Sequence, residues 1–260
     1  MTEDFVNDLL KQHYSAVDFE MSTADLNRIA ENFLKFLLLP DDIKRQLHFP
    51  ATRPRASADG YTDKTSEVNK DAKQFFHWHP DLENQPECQR LIRQIPEVER
   101  LFYDASTLYV EIEKSLLIVF DEFLPEHKNR VFHQGKLRDG TLRFLCYSAT
   151  GDKQMGASGH YDKGFGTLAL ADSAPGLRIG CCDHHKLQEV VHREGKALFM
   201  PAWMLYQTSV GKFKPAWHDV VGKQGRLNVS ENCARWSIVF FINASDDEYF
   251  SWEKMHTPLH

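Results

Sequence analysis

The chain lacks a surplus of positive charge, a long apolar run and a cysteine pattern, and each absence removes a class of function. Of its 260 residues, 31 are Lys or Arg and 37 are Asp or Glu, a formal net charge of −6. Binding to nucleic acid or to an anionic membrane needs a basic patch, and this balance gives no support for one. The longest apolar stretches, such as FLKFLLLP and SLLIVF, fall far short of the ~20 residues that span a bilayer. The acidic start MTEDFVNDLL is the wrong leading region for a signal peptide. The five cysteines, Cys88, Cys146, Cys181, Cys182 and Cys233, contain no CxxC and no regular spacing. Free thiols in a reducing compartment are expected, which points to a cytoplasmic protein without a disulfide framework.

What is present reads as one soluble globular domain over residues 1–260, with 42% hydrophobic and 26% charged residues. Residues 1–135 read as mostly helical. TEDFVNDLLKQHY has an acidic first turn and apolar residues at Phe5, Leu9 and Leu10. Ser22 or Thr23 can cap a helix that carries Leu26, Ile29, Ala30, Phe33 and Leu37 on one side. Pro40 ends it, and Asp41-Asp42 can open a short helix. From Phe49 to about Pro96 turn formers dominate, and the segment reads as irregular and long enough to cover or line something. Between Pro96 and Phe123, apolar residues recur at three- and four-residue steps, which predicts a long core-packing helix.

From about Gly140 the period becomes that of strands. TLRFLCYSA, GTLALAD, GLRIGCC, KLQEVVH, ALFMPAW and ARWSIVFFI are short apolar or alternating runs separated by turn residues. Residues 136–245 are therefore expected to form a jelly roll or barrel, with a C-terminal tail at 246–260.

Chemistry concentrates in that second half. His160 and Asp162 in GHYDKG share a face if the segment is extended, because side chains at i and i+2 point the same way. A short motif of this kind is weak alone. With 13 His and 20 Asp in the chain, chance supplies roughly one match, and His79-Pro80-Asp81 is a second. Pro80 argues against a regular strand there, and the variant His192-Arg193-Glu194 reads as the end of a hairpin strand without a third partner. His218 in PAWHDVV can complete a set with His160 and Asp162. Two imidazoles and one carboxylate on one face of a divalent metal, with positions left open, are the donor set of a non-haem iron oxygenase. In ARWSIVFFI, Arg235 and Ser237 share a face of a strand that is apolar on both sides. A buried guanidinium needs a partner. A structural carboxylate could serve, although a bound anionic cosubstrate fits better beside the Ser237 hydroxyl. Cys181-Cys182-Asp183-His184-His185 carries ligand types for zinc or copper, but consecutive residues rarely converge on one ion, so it reads as a turn. Trp203, Tyr206 and Trp217 read as packing rather than as an aromatic cage.

These residues resemble a known group, the isopenicillin N synthase-like branch of the 2-oxoglutarate- and Fe(II)-dependent dioxygenases. HYDKGFGTLALADSAPGLRI resembles the family's HxDxGxLTLL…GLQV segment, and ALFMPAWMLYQTSVGKFKPAWHDVV its TNGxFKSxxHRV segment. ARWSIVFF resembles its RxSxxxF strand and LRFLCY its LRxNxY strand. The likeness spans residues 25 to 245, closest after Gly140. Leu145 stands where the family has Asn, Pro201-Ala202 replaces a GD pair, the stretch between His218 and Arg235 is longer, and the N-terminus is short of the family's opening strand.

The resemblance implies a mixed α+β fold, a distorted double-stranded β-helix (jelly roll) with N-terminal helices and a long supporting helix. It implies Fe(II) held by His160, Asp162 and His218, and 2-oxoglutarate held by Arg235 and Ser237 with support from Tyr147. The implied activity uses O2 to couple decarboxylation of 2-oxoglutarate to oxidation, in the simplest case hydroxylation, of a small-molecule substrate. A monomer is expected, with neither nucleic acid nor membrane as partner. Two other readings stand beside it. One is an iron oxidase of the same fold that uses no 2-oxoglutarate, with Arg235 and Ser237 holding the substrate's own carboxylate. The other is a catalytically silent ligand-binding protein.

Overall fold

A computed structural model describes residues 2–50, 58–65, 72–148, 156–180, 187–221 and 233–244. The N-terminal part begins with helix α1 (Thr2–Gln12), strand β1 (Ser15–Asp18), helices α2 (Thr23–Leu37) and α3 (Asp41–Arg45), and strands β2 (His48–Pro50), β3 (Ala58–Asp63) and β4 (Lys73–Trp78). A 3-10 turn at Pro80–Asn84 leads into α4 (Pro86–Gln94) and the long α5 (Pro96–Glu122). After a second 3-10 turn come α6 (Lys128–Val131) and the small hairpin β5 (Phe132–His133) and β6 (Lys136–Leu137). The remaining elements are β7 (Gly140–Ser148), β8 (Gly166–Asp172), β9 (Leu177–Gly180), β10 (Gln188–Glu189), β11 (Lys196–Pro201), α7 (Trp203–Thr208), β12 (Trp217–Val220) and β13 (Cys233–Ile242).

The helices form where capping and periodicity direct them. Ser22 caps α2, its hydroxyl accepting from the Asp25 backbone N–H at 3.0 Å. Leu26, Ile29, Ala30 and Phe33 then fall on the buried face. Pro96 opens α5, where its missing N–H costs nothing. Val98, Leu101, Ala105, Leu108, Ile112, Leu116 and Val119 form its buried stripe. The one buried carboxylate on α5, Asp104, accepts from Arg28 at 3.1 Å and Asn32 at 2.8 Å, so α2 and α5 are tied by a satisfied polar contact inside an apolar interface.

An antiparallel sheet of eight strands, ordered β1-β11-β8-β13-β7-β4-β3-β2, makes the main layer. A smaller antiparallel sheet, β10-β9-β12, is the second. Alternation gives the main sheet two faces. Phe76, Phe144, Leu168, Phe199, Trp236, Ile238 and Phe240 join the core formed with α1, α2 and α5. Residues of opposite parity, among them Ala169, Leu198, Met200 and Tyr147, pack in separate clusters on the other face, some with Leu177 and Ile179 of β9. A pocket lies on that inner face.

One register irregularity shapes the pocket. Opposite β13, Ser237 pairs with Asp172 and Val239 with Ala169, so β8 carries an extra residue between them. Leu170 and Ala171 both join the main core, and the shift returns Asp172 to the inner face beside Ser237. Strict alternation from Ala169 would have turned Asp172 outward.

Several expectations change. The stretch from Phe49 to Pro96, read as irregular, contributes strands β3 and β4, a 3-10 turn and α4 within its described parts. The reading of residues 1–135 as mostly helical omitted the strands β1 to β4, all of which join the main sheet. An N-terminal strand is present, since β1 pairs with β11 and forms one edge of the main sheet. Short β-rich segments carry little periodicity of their own, and pairing decides them: β1 with β11, β4 with β7, and β3 and β2 in turn beyond β4. Trp203, placed at a strand end, starts α7 instead. The cysteines are not all free: Cys146 and Cys233 are paired on neighbouring strands, Cα atoms 5.7 Å apart, while Cys88 is a buried free thiol. Their 87-residue separation hides that meeting from any local spacing rule. The Cys181–His185 cluster, residues 222–232 and the tail after Ala244 lie outside the described residues. No helix among the described residues is long and apolar enough to cross a membrane.

Phe240 is fully buried and packs edge-on against Tyr109 of α5, ring centroids 5.5 Å apart. Phe240→Ala should lower the unfolding free energy by about 3–5 kcal/mol, and Ser22→Ala by about 1 kcal/mol. Denaturant unfolding followed by circular dichroism measures both; equal effects would contradict the layer assignment.

Candidate active site

The pocket's central feature is a short bridge between two distant segments. His160 and His218 exchange backbone hydrogen bonds, His160 N–H to His218 O at 3.0 Å and His218 N–H to His160 O at 3.1 Å. The exchange brings the two imidazoles to a centroid separation of 4.4 Å. Close backbone approach makes this possible. A Cβ on Gly159 would sit 2.8 Å from the Trp217 indole, and one on Gly164 would strike the Ile242 carbonyl.

Asp162 completes the cluster. His160 Nε2 lies 3.6 Å from one carboxylate oxygen and His218 Nε2 3.7 Å from the other. The three ligand atoms lie within 4.8 Å of one another, and no other described group of His, Cys, Asp or Glu meets that spacing. Each imidazole commits its other nitrogen to a backbone carbonyl: Nδ1 of His160 to Ser158 O at 2.7 Å, and Nδ1 of His218 to Ala216 O at 3.0 Å. This fixes the tautomer, with Nδ1–H donating outward and the Nε2 lone pair turned toward Asp162. Thr167 donates its hydroxyl to Asp162 Oδ2 at 2.5 Å and orients the carboxylate.

Burial disfavours charge throughout, yet Asp162 is held well below the usual carboxylate range by the flanking His218 and His160 and by the Thr167 hydroxyl. At His160 burial is outweighed by Asp162, so its pKa rises; at His218 burial and the neighbouring His160 lower it. An ionised carboxylate facing two inward nitrogen lone pairs is the donor chemistry that a divalent cation satisfies.

Arg235 and Ser237 stand on the inner face of β13, both buried, and Tyr147 faces Arg235 across the β7 pairing with its ring 6.0 Å from the guanidinium carbon. All three line the same pocket as the His160, Asp162 and His218 cluster, a pocket with about 640 Å³ of empty space including part open to solvent. Arg235 is already partnered: Nη2 donates to Asp172 Oδ2 at 2.8 Å and Nε to Ala174 O at 3.1 Å. The structural carboxylate considered from sequence therefore exists. His192, dismissed as a metal ligand, is there too, with Nε2 3.5 Å from Asp172 and Nδ1 buried without a hydrogen-bond partner among the described residues. Burial raises the Asp172 pKa against the pull of Arg235 and His192, and burial lowers that of His192.

The other decoy is a structural pair, His79 lying 3.3 Å from buried Asp59. Trp203, Trp217 and Tyr161 form an apolar cluster, with Tyr206 against Trp203, in keeping with a packing role. Sequence reasoning missed Asp172, Thr167, His192 and Arg143. Each lines the pocket; Arg143 alone left a readable signal, as a charge on a strand that is otherwise apolar.

No protein-family model matches the chain. A 2-oxoglutarate-dependent dioxygenase from Didymella fabae is 32% identical over 112 residues, 41% of this chain and 32% of the relative. The chain thus matches about a third of that relative's length. Solved structures match over nearly the whole chain. The Arabidopsis thaliana dioxygenase for auxin oxidation, determined with 2-oxoglutarate, superposes with a TM-score of 0.70 at 14% identity, covering 96% of this chain and 90% of that one. A full-length Neurospora crassa protein in complex with alpha-KG gives 0.63 at 17% identity, covering 98% and 84%. At such identities the structural likeness establishes the fold, that of the 2-oxoglutarate- and iron-dependent oxygenases. The resemblance to the isopenicillin N synthase-like dioxygenases read from the sequence is borne out at that level.

Asp162→Ala or His160→Ala should each abolish tight Fe(II) binding in anaerobic titration calorimetry. Thr167→Val should weaken it on the order of tenfold, because the carboxylate loses its orienting donor. Unchanged Fe(II) affinity in the Asp162 variant would remove the site.

Proposed function

We propose that the protein is an Fe(II)- and 2-oxoglutarate-dependent oxygenase of a small molecule, built as a double-stranded β-helix whose two sheets enclose the reaction site. The observation that carries this reading is the convergence of His160, Asp162 and His218 with Arg235 and Ser237 in one pocket. Bound iron would supply redox chemistry with dioxygen and open positions for a chelating 2-oxo acid.

The chain's own residues divide the remaining work. His160, Asp162 and His218 hold one face of the metal, their orientation locked by Ser158 O, Ala216 O and the Thr167 hydroxyl. Arg235, with a hydrogen-bonding edge left beyond its contacts to Asp172 and Ala174, grips the distal carboxylate together with Ser237. Tyr147 closes the side of that subsite. Val220, Val239, Leu177 and Met200 form apolar walls that exclude water and strengthen every charge contact inside. In the overall reaction, dioxygen places one oxygen atom in succinate and the other in the substrate, with release of carbon dioxide.

A small-molecule substrate agrees with the size of the pocket and with the net charge of −6, which offers no basic footprint for nucleic acid. The structural relatives also handle small ring compounds: auxin in one case, thymine and 5-formyluracil in complexes of the other. A cytoplasmic location loses the support of unpaired cysteines once Cys146 and Cys233 are paired.

A second reading is an iron oxidase of the same fold without 2-oxoglutarate, in which the substrate's own carboxylate would share the Arg235 guanidinium with Asp172. Fe(II)- and oxygen-dependent formation of succinate from 2-oxoglutarate separates the two. The expected result is succinate release; turnover of an organic substrate without it would establish the oxidase instead. Arg235→Ala should raise the 2-oxoglutarate concentration for half-maximal turnover on the order of 10- to 100-fold, the loss of a charge-assisted fork, with Fe(II) binding retained.

A further inference from the structure

A second arginine shares the pocket and has no carboxylate assigned to it. Arg143 lies on the inner face of β7, two and four residues before Leu145 and Tyr147, and lines the cavity with them. Its guanidinium carbon sits 4.5 Å from the Phe241 ring centroid and 5.1 Å from that of Phe75. Its Nε donates to His77 Nε2 at 2.6 Å, and His77 Nδ1 contacts Ala58 O at 2.7 Å. The His77 tautomer follows: Nδ1–H donates to the carbonyl and Nε2 accepts from arginine. Two rings and an imidazole thus fix the plane and rotation of the guanidinium. No carboxylate lies within ion-pair distance of it among the described residues, and the Nη edge is left for a ligand.

This arrangement contrasts with Arg235. The Arg235 charge is offset by Asp172 at 2.8 Å. The nearest anion acting on Arg143 is Asp162, whose oxygens face His160 and His218 and belong to the proposed metal cluster. A confined guanidinium without its own anion is costly unless a ligand supplies one. By strand register, Arg143 pairs with Val239 whereas Tyr147 pairs with Arg235. The two arginines therefore stand four residues apart along the sheet, roughly 13 Å at the usual rise per residue.

Building on the oxygenase reading, we propose that Arg143 anchors the primary substrate, and that this substrate is a small carboxylate held bidentately through the Nη edge. Arg235 and Ser237 serve the cosubstrate, and Arg143 selects the molecule to be oxidised. The carboxylate end is held beside the metal-binding cluster, so a carbon close to the acid group faces the reacting centre.

The test uses titration calorimetry on the full chain loaded anaerobically with Fe(II) and 2-oxoglutarate, so that it reads binding without turnover. The probes are acetate, benzoate, phenylacetate and indole-3-acetate, each paired with its neutral amide. At least one acid should bind ten times more tightly than its amide, and Arg143→Met should erase that preference. Arg143→Lys, which keeps the charge but not the fork, should retain part of it. Equal binding of every acid and amide by the wild type would overturn the proposal, as would an unchanged preference in Arg143→Met. A loss of 2-oxoglutarate affinity in Arg143→Met as large as that in Arg235→Ala would also overturn it, assigning the residue to the cosubstrate. Absence of succinate formation alongside an intact acid preference would sink the oxygenase reading and leave the Arg143 site standing.

Discussion

Strand β13 bears both the core and the chemistry, and its pairing with β7 and β8 is the constraint on which the rest depends. One parity of its residues, Trp236, Ile238, Phe240 and Ile242, is sealed into the helical layer. The other parity, Arg235, Ser237, Val239 and Phe241, lines the pocket. Each residue that secures the strand against α2 and α5 therefore also fixes the height of a pocket residue. A slip of one position would send the arginine into the apolar core and a phenylalanine into the site. The stability of the fold and the placement of the site share one set of hydrogen bonds.

The cluster of His160, Asp162 and His218 depends on a second, much shorter pairing. His160 and His218 meet through two backbone hydrogen bonds, and small residues allow the approach. The imidazoles are then oriented by carbonyls and the carboxylate by a threonine, so each side chain of the cluster is held by a contact of its own. That ordering costs little in charge, because Asp162 is ionised between two imidazoles. A cation entering the cluster finds its lone pairs already aimed.

The pocket is electrostatically asymmetric. At one end Arg235, Asp172 and His192 form a largely compensated set in which burial raises one pKa and lowers another. Toward the other stands Arg143, fixed by rings and a histidine but without a carboxylate of its own among the described residues. An anionic cosubstrate at the first end must share Arg235 with Asp172, whereas an anion at the second meets an uncompensated charge. The proposed division of the pocket between two acids rests on this asymmetry.

Sequence by itself determined the helices α1, α2 and α5, the identity of the strands β7, β8 and β13, and the residues His160, Asp162, His218, Arg235, Ser237 and Tyr147 that share the pocket. Those features reside in local periodicity, capping and motif spacing, which neighbouring residues encode directly. Tertiary structure decided the strands hidden in the turn-rich stretch before Pro96, the pairing of Cys146 with Cys233, and the partners of the two arginines. Asp172 shows why. Alternation along β8 turns it toward the helices, and only an extra residue in the register with β13 brings it back to Arg235. A bulge is a property of two strands together, and nothing in either one announces it.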